Sequence, residues 1–320
     1  MKSKNILLVL LGLVCLALLC GVGYTVYQGK ESQKEPAEEK DYQEEYLTYN
    51  GKKYKRNPDI YTVLFMGVDK EAQAEVGNQP GDAGQTDSLN LLVMNRETKE
   101  GKIIQISRDT VVDLDIYDTN NELLMTTEGQ IALQYAFGDG KNRSCRLTGE
   151  RVSELLGGIE VDSYIALSLD GIAAATDVIG GVTLTVPEDY TEIDPAFYAG
   201  AEVTLDGGMA EKYVRSRDVQ SLDSNNQRME RQSQFMGALI QKMRNLSLEK
   251  EEYVSMYQEI EPYVTTNMTA DELADLAEYK YAEDMLELPG EVTEKDGYAQ
   301  FVVNAEEMKT ILVKYFYKEV

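Results

Sequence analysis

The 320-residue chain contains no histidine, no tryptophan and only three cysteines, and it carries 31 Lys and Arg against 56 Asp and Glu, a formal charge of −25. Each shortage removes a class of function. Without imidazole, neither a Ser-His-Asp or Cys-His nucleophile nor an H-E-x-x-H zinc site can be assembled within one chain. Catalysis must use carboxylates, Arg, Lys, Tyr or a hard metal. The acidic balance excludes general nucleic-acid binding, which rests on many Lys and Arg contacts to phosphate. Any polyanion must be held at a local basic island. Cys15 and Cys20 lie in an apolar run and Cys145 stands alone, so the folded part has no disulfide framework. With no histidine to activate it, Cys145 reads as a structural thiol.

What is present is an ordinary globular balance, 43% hydrophobic and 27% charged residues, behind an unusual N-terminus. No charge occurs from Asn5 to Gln28, and Ile6 to Tyr27 is apolar apart from Thr25 and glycines. That length matches the ~20 residues of a membrane span. Lys2 and Lys4 precede it, so the positive-inside rule puts the N-terminus in the cytoplasm and the rest of the chain outside. A cleaved signal peptide is the competing reading; the apolar run is too long for it, and no A-x-A site follows. Residues 1–28 are therefore expected to be a cytoplasmic tip and transmembrane anchor. Residues 29–57, charged and poor in apolar side chains, are expected to be a stalk.

A domain over 58–245 follows. Thr62 to Met66 is an apolar, β-rich run that predicts a buried central strand ending at Gly67-Val68-Asp69, and Ser88 to Asn95 and Lys102 to Ser107 predict two more strands. Helical patterns near 130–137, 148–156 and 172–179 alternate with strands at 164–169 and 182–186, which indicates a layered α-β-α domain with a central sheet. A long helix is expected from Ser224 through Met243. Thr269 with Glu272 and Asn304 with Glu307 mark two further helix starts. Residues 246–320 hold 18 acidic and 6 basic residues, close to half the net charge. Core-like spacing of Leu273, Leu276, Ile311 and Leu312 predicts helices and a hairpin near 285–303 packed on the main domain.

If the second strand is antiparallel to both neighbours, the end of the first, the start of the second and the end of the third meet at one end of the sheet. Those points carry Asp69, Asp87 and Arg108-Asp109. Two converging carboxylates with no imidazole or thiolate suit Mg²⁺ better than zinc. Arg215, Arg217, Arg228 and Arg231 fall within seventeen residues, and with Arg108 they make five of the chain's eleven arginines. Arg228, Arg231 and Gln232 share one helix face by their spacing. Guanidinium forks bind phosphate oxygens bidentately, and a helix N-terminus near Ser224 adds its dipole. Carboxylates, Mg²⁺ and gathered arginines describe a pyrophosphate site.

These residues resemble the LytR-CpsA-Psr family of Gram-positive cell-envelope proteins over about Ile60 to Met243. Gly67-Val68-Asp69, Thr86-Asp87-Ser88, Ser107-Arg108-Asp109-Thr110, Ile179-Gly180-Gly181-Val182, Tyr213-Val214-Arg215-Ser216-Arg217, then Asp223, Arg228, Arg231 and Gln232 follow its motifs in order. The resemblance implies a membrane-anchored, extracytoplasmic transferase. It would move a glycopolymer from a polyprenyl-pyrophosphate carrier to peptidoglycan, with Mg²⁺ as cofactor and polyprenyl phosphate as product. It implies Asp69 and Asp87 on the metal side, phosphate contacts from Arg108, Arg215, Arg217, Arg228 and Gln232, and Asp87 or Asp109 as base. The lipid tail implies an apolar tunnel, drawn from Ile131, Leu133, Ala136, Phe137, Leu167 or Ile172. The pattern departs at Gln85, where the family commonly has arginine, a change equivalent to one charge-assisted phosphate contact of ~1.5–3 kcal/mol. It departs also at Ser107, where proline is usual.

Overall fold

A computed structural model describes residues 46–69, 81, 83–216, 224–245, 259–276, 279–282, 285–295 and 297–320. The expected membrane span, most of the stalk, Arg217 and Asp223 lie outside the described residues. The end of the expected stalk does not behave as one: Tyr46–Tyr49 (β1) and Lys52–Arg56 (β2) pair as an antiparallel hairpin. Local composition hid this, because the partner that completes the small sheet, Tyr317–Glu319, lies at the other end of the chain.

The fold is mixed α/β around a seven-stranded mixed sheet. Ile60–Asp69 (β3), Gln85–Asn95 (β4) and Glu100–Ile106 (β5) form its centre and are successively antiparallel. Beyond β5 the chain makes a hairpin not anticipated from sequence, Val111–Tyr117 (β6) with Leu123–Gln130 (β7). Its signal was the alternation of Val112, Leu114 and Ile116 with Asp113 and Asp115. A 3-10 turn, Ile131–Phe137, leads to helix α1 (Asn142–Leu155). Ser163–Ser168 (β8) then returns parallel to β3 and runs directly into helix α2 (Leu169–Val178), capped by Ser168.

Val182–Thr185 (β9) and Glu202–Leu205 (β10) make another antiparallel pair, against which pack α3 (Gly207–Arg215) and α4 (Ser224–Asn245). Ile179, Val182, Phe197, Leu205, Tyr213 and Phe235 fill this satellite core. The acidic C-terminal stretch goes further than packing on the sheet. Val264–Thr266 (β11) pairs with β8, and Lys280–Tyr281 (β12) and Leu286–Glu287 (β13) pair with β5, so three of its strands complete the sheet. Helix α5 (Ala270–Asp275) begins at the expected Thr269–Glu272 capping box, with Thr269 N donating to Glu272 Oε2 at 2.8 Å. The expected hairpin is Gly290–Lys295 (β14) with Tyr298–Val303 (β15), followed by α6 (Ala305–Phe316), which Asn304 caps, and by Tyr317–Glu319 (β16).

The sheet buries both faces, as a near-continuous apolar strand such as β3 requires. Val63, Phe65, Leu167 and Ile172 belong to the core beside α2 and α5, whereas Leu64, Met66, Ile131 and Tyr135 belong to the core beneath α1 and α6. Ile131 and Leu167, grouped from sequence around one tunnel, thus stand on opposite faces of the sheet. Cys145 is fully buried in the second core, as expected of a structural thiol.

Candidate active site at the end of the sheet

The antiparallel order of β3, β4 and β5 brings the end of β3, the start of β4 and the end of β5 to one end of the sheet. Asp69 faces Gln85 across the first pair. Two residues on, the register slips: Gly67 faces Ser88 and Val68 faces Thr86, leaving Asp87 as the extra residue of a β-bulge. A bulge re-aims a side chain and commonly sits beside a functional site. Gly67 allows the tight register, since a Cβ there would stand 3.2 Å from that of Ser88.

Asp87 is held by two guanidinium groups. Arg108, at the end of β5, donates Nη1 to Asp87 Oδ1, and Arg228 of α4 donates Nη1 to Oδ2 at 2.9 Å. Arg108 gives its other terminal nitrogen to Gln85 Oε1 at 2.8 Å. Its Nε, and that of Arg228, are buried with no hydrogen-bond partner. Buried donors without partners are uncommon in folded proteins, and here both belong to residues that face one carboxylate. Asp109 lies 3.7 Å from Arg108 Nε and accepts a hydrogen bond from Gln130 Nε2 at 2.9 Å. At the rim, Arg215 ends α3 and reaches Asp69 at 3.4 Å, while Glu211 one turn earlier holds its other nitrogen at 3.1 Å.

Arg228, Arg231 and Gln232 do not act as one phosphate-facing row. Arg228 alone turns to Asp87. Arg231 donates Nε to the Tyr213 carbonyl at 3.0 Å and a terminal nitrogen to the Ser216 carbonyl, and Gln232 donates Nε2 to the Val214 carbonyl at 3.1 Å. Together they satisfy the last carbonyls of α3, groups left open at any helix end. Their effect on the site is to fix the helix end that carries Arg215. Burial lowers the pKa of Arg231 from its ordinary value, and its guanidinium stacks 5.1 Å from the Tyr190 ring.

Residues 22–315 match the LytR_cpsA_psr family model, nearly the whole length of the chain. The chain belongs to the LytR_cpsA_psr family. A Bacillus licheniformis relative, named polyisoprenyl-teichoic acid–peptidoglycan teichoic acid transferase TagU, is 28% identical over 261 residues, covering 80% of this chain and 76% of that protein. Biofilm regulatory protein A of Streptococcus mutans is 26% identical over 280 residues, covering 82% and 65%. The crystal structure of Bacillus subtilis TagU shares the fold, with a TM-score of 0.55 at 22% identity over 80% of this chain and 95% of that one.

Within this LytR_cpsA_psr chain, sequence reasoning found Asp69, Gln85, Asp87, Arg108, Asp109, Arg215 and Arg228, and the fold gathers them at one sheet end. It missed Gln130 and Glu211, which touch Asp109 and Arg215. A glutamine closing an unrecognised hairpin and a glutamate on an unrecognised helix carry no local signal. Among the described residues, no three acidic or thiol side chains cluster as a metal cage. The carboxylates expected to hold a metal, Asp69 and Asp87, are each engaged by arginine.

Proposed function

We propose that the chain is a membrane-anchored, extracytoplasmic phosphotransferase that moves a glycopolymer from a polyprenyl-pyrophosphate carrier to a peptidoglycan hydroxyl. The observation that carries this reading is the doubly guanidinium-bound Asp87 at the sheet end, flanked by Asp69 with Arg215 and by Asp109. Arginine forks, two of them buried, suit the spread negative charge of a pyrophosphate under attack. The name of the Bacillus licheniformis relative supports the polymer and the acceptor.

In the proposed reaction, the acceptor hydroxyl oxygen attacks the glycan-bearing phosphorus. The bond from that phosphorus to the bridging oxygen breaks, and polyprenyl phosphate leaves with the electron pair. Asp109 or Asp87 takes the hydroxyl proton. Arg108, Arg228 and Arg215 bind the phosphate oxygens and hold the donor in line. Asp69 and Asp87 would hold Mg²⁺, which is usually bound by one or two carboxylates together with substrate phosphates and water. When bound, Mg²⁺ supplies charge neutralisation of the pyrophosphate. The apolar segment 6–27 would keep the domain beside a lipid-borne donor.

Mg²⁺-dependent release of polyprenyl phosphate from a lipid-pyrophosphate glycan, with transfer of the glycan to peptidoglycan fragments, tests the reading. Binding without turnover across several donors would sink it. A second reading, a regulator that binds lipid pyrophosphate without turnover, is favoured by Gln85, which occupies Arg108 where the family commonly offers another cation.

A further inference from the structure

The β6–β7 hairpin displays an apolar surface that no part of the proposed reaction uses. Leu123, Leu124 and Met125 are 55, 63 and 54% exposed, three large apolar side chains in a row. Among the described residues, the other exposed large hydrophobic side chains are separate in sequence. A second bulge produces the display. Tyr117 faces Leu123 and Ile116 faces Met125, so Leu124 is the extra residue and the strand shows apolar groups on both sides. Single exposed leucines are ordinary; a contiguous exposed apolar patch marks a contact surface.

The hairpin turn is closed by its own hydrogen bonds and lies beside cations. Asp118 accepts hydrogen bonds from the Asn120 and Glu122 amides at 2.8 Å each, and its own amide donates to the Glu122 carbonyl at 2.9 Å, locking the turn. Arg143, in the first turn of α1, stacks on Tyr117 at 4.4 Å and donates to Asn121. Lys141 and Arg146, both exposed, flank Arg143, so three cations fall within six residues of a chain whose net charge is −25. The carboxylates beside these cations are Asp118 and Asp139, both committed to backbone amides, and the exposed Glu122 and Glu150.

We propose that this hairpin docks on the outer face of the bilayer, with Leu123, Leu124 and Met125 at the acyl boundary and Lys141, Arg143 and Arg146 at anionic headgroups. Apolar side chains beside basic ones are the composition of an interfacial membrane contact. The chain's own apolar segment, 6–27, brings the bilayer within reach, because residues 28–45 can span at most about 60 Å when extended. The inference rests on the reading of that segment as a membrane span. Docking would set the orientation of the domain relative to a lipid-borne donor.

The absence of tryptophan makes a direct test available. The full-length chain is placed in nanodiscs of phosphatidylcholine and phosphatidylglycerol with Leu124→Trp as its sole tryptophan, and emission is compared with and without brominated acyl chains. Blue-shifted emission with about a twofold loss of intensity is expected, diminished by Lys141→Glu. Met125→Trp is the second reporter should Leu124→Trp fail to fold, and Leu16→Trp reports on the anchor. Quenching at 16 but not at 124 or 125 overturns the docking and leaves the anchor standing. No quenching at any position overturns both. A blue shift without bromolipid quenching shows a protein partner, such as a second copy, and also overturns the proposal.

Discussion

Arg228 reaches across 141 residues of sequence to place its guanidinium 2.9 Å from the Asp87 carboxylate, and only 2% of its side chain remains exposed. The pair ties α4 to the bulge in β4, and Arg108 shares the same carboxylate from β5. One acidic side chain thus holds together three elements that would otherwise present unbalanced charge to one another.

Removing Asp87 leaves two buried guanidinium groups without their carboxylate, whereas removing Arg228 leaves Asp87 paired with Arg108. Asp87→Asn is expected to cost ~3–5 kcal/mol of stability and Arg228→Gln less, because Arg108 still neutralises the carboxylate. The double variant is expected to cost less than the sum, by ~1–3 kcal/mol. Urea unfolding of the four members of this cycle measures the coupling, and strict additivity would show that the contact carries no energy.

Gln85 accepts from Arg108 at 2.8 Å, so Gln85→Arg exchanges an acceptor for a third cation beside Asp87. Affinity for a polyprenyl pyrophosphate should rise about ten- to hundredfold, the equivalent of one charge-assisted hydrogen bond. Titration calorimetry with a short-chain donor reads this directly. Turnover that rises from near zero in the same variant would favour the regulatory reading of the natural chain; turnover already present in the natural chain would favour the transferase.

Gln130 joins Asp109 Oδ1, at 2.9 Å, to the carbonyl of Ala299 in β15, at 2.8 Å. Gln130→Ala removes one hold on the Asp109 carboxylate while leaving the arginines in place. A fall in kcat of roughly tenfold with little change in donor KM is expected for a misplaced base. An increase in KM with kcat unchanged would place Asp109 in binding instead of proton transfer.

Burial, reinforced by Asp139, pushes the Cys145 thiol up from its ordinary range. A group whose folded pKa exceeds its unfolded value contributes stability that is fully present below the unfolded value, about 8.5 for a thiol, and is lost as pH rises through the folded one. Cys145→Ala should therefore show a constant deficit below about pH 8 and a shrinking one above it. Urea midpoints measured for both proteins across that range check the sign. In the native protein, Cys145 should also resist alkylation until the core opens.

The sequence by itself determined the elements whose cause is local. The apolar run of β3, the capping residues Thr269 and Asn304 and the long α4 are set by side chains within a turn or a strand of one another. The positions of Asp69, Asp87, Arg108 and Asp109 at strand ends were legible for the same reason, once an antiparallel order was assumed. What the tertiary structure decided was pairing. Arg228 found Asp87, whereas Arg231 and Gln232, beside it on the helix, were drawn to the carbonyls of α3. The tail of the supposed stalk found β16, and the acidic C-terminus completed the central sheet. Each depends on partners distant in sequence and, at Asp87 and Leu124, on a one-residue slip in register. Hydrophobic periodicity records which face of an element is buried, but not which charged group will meet it there.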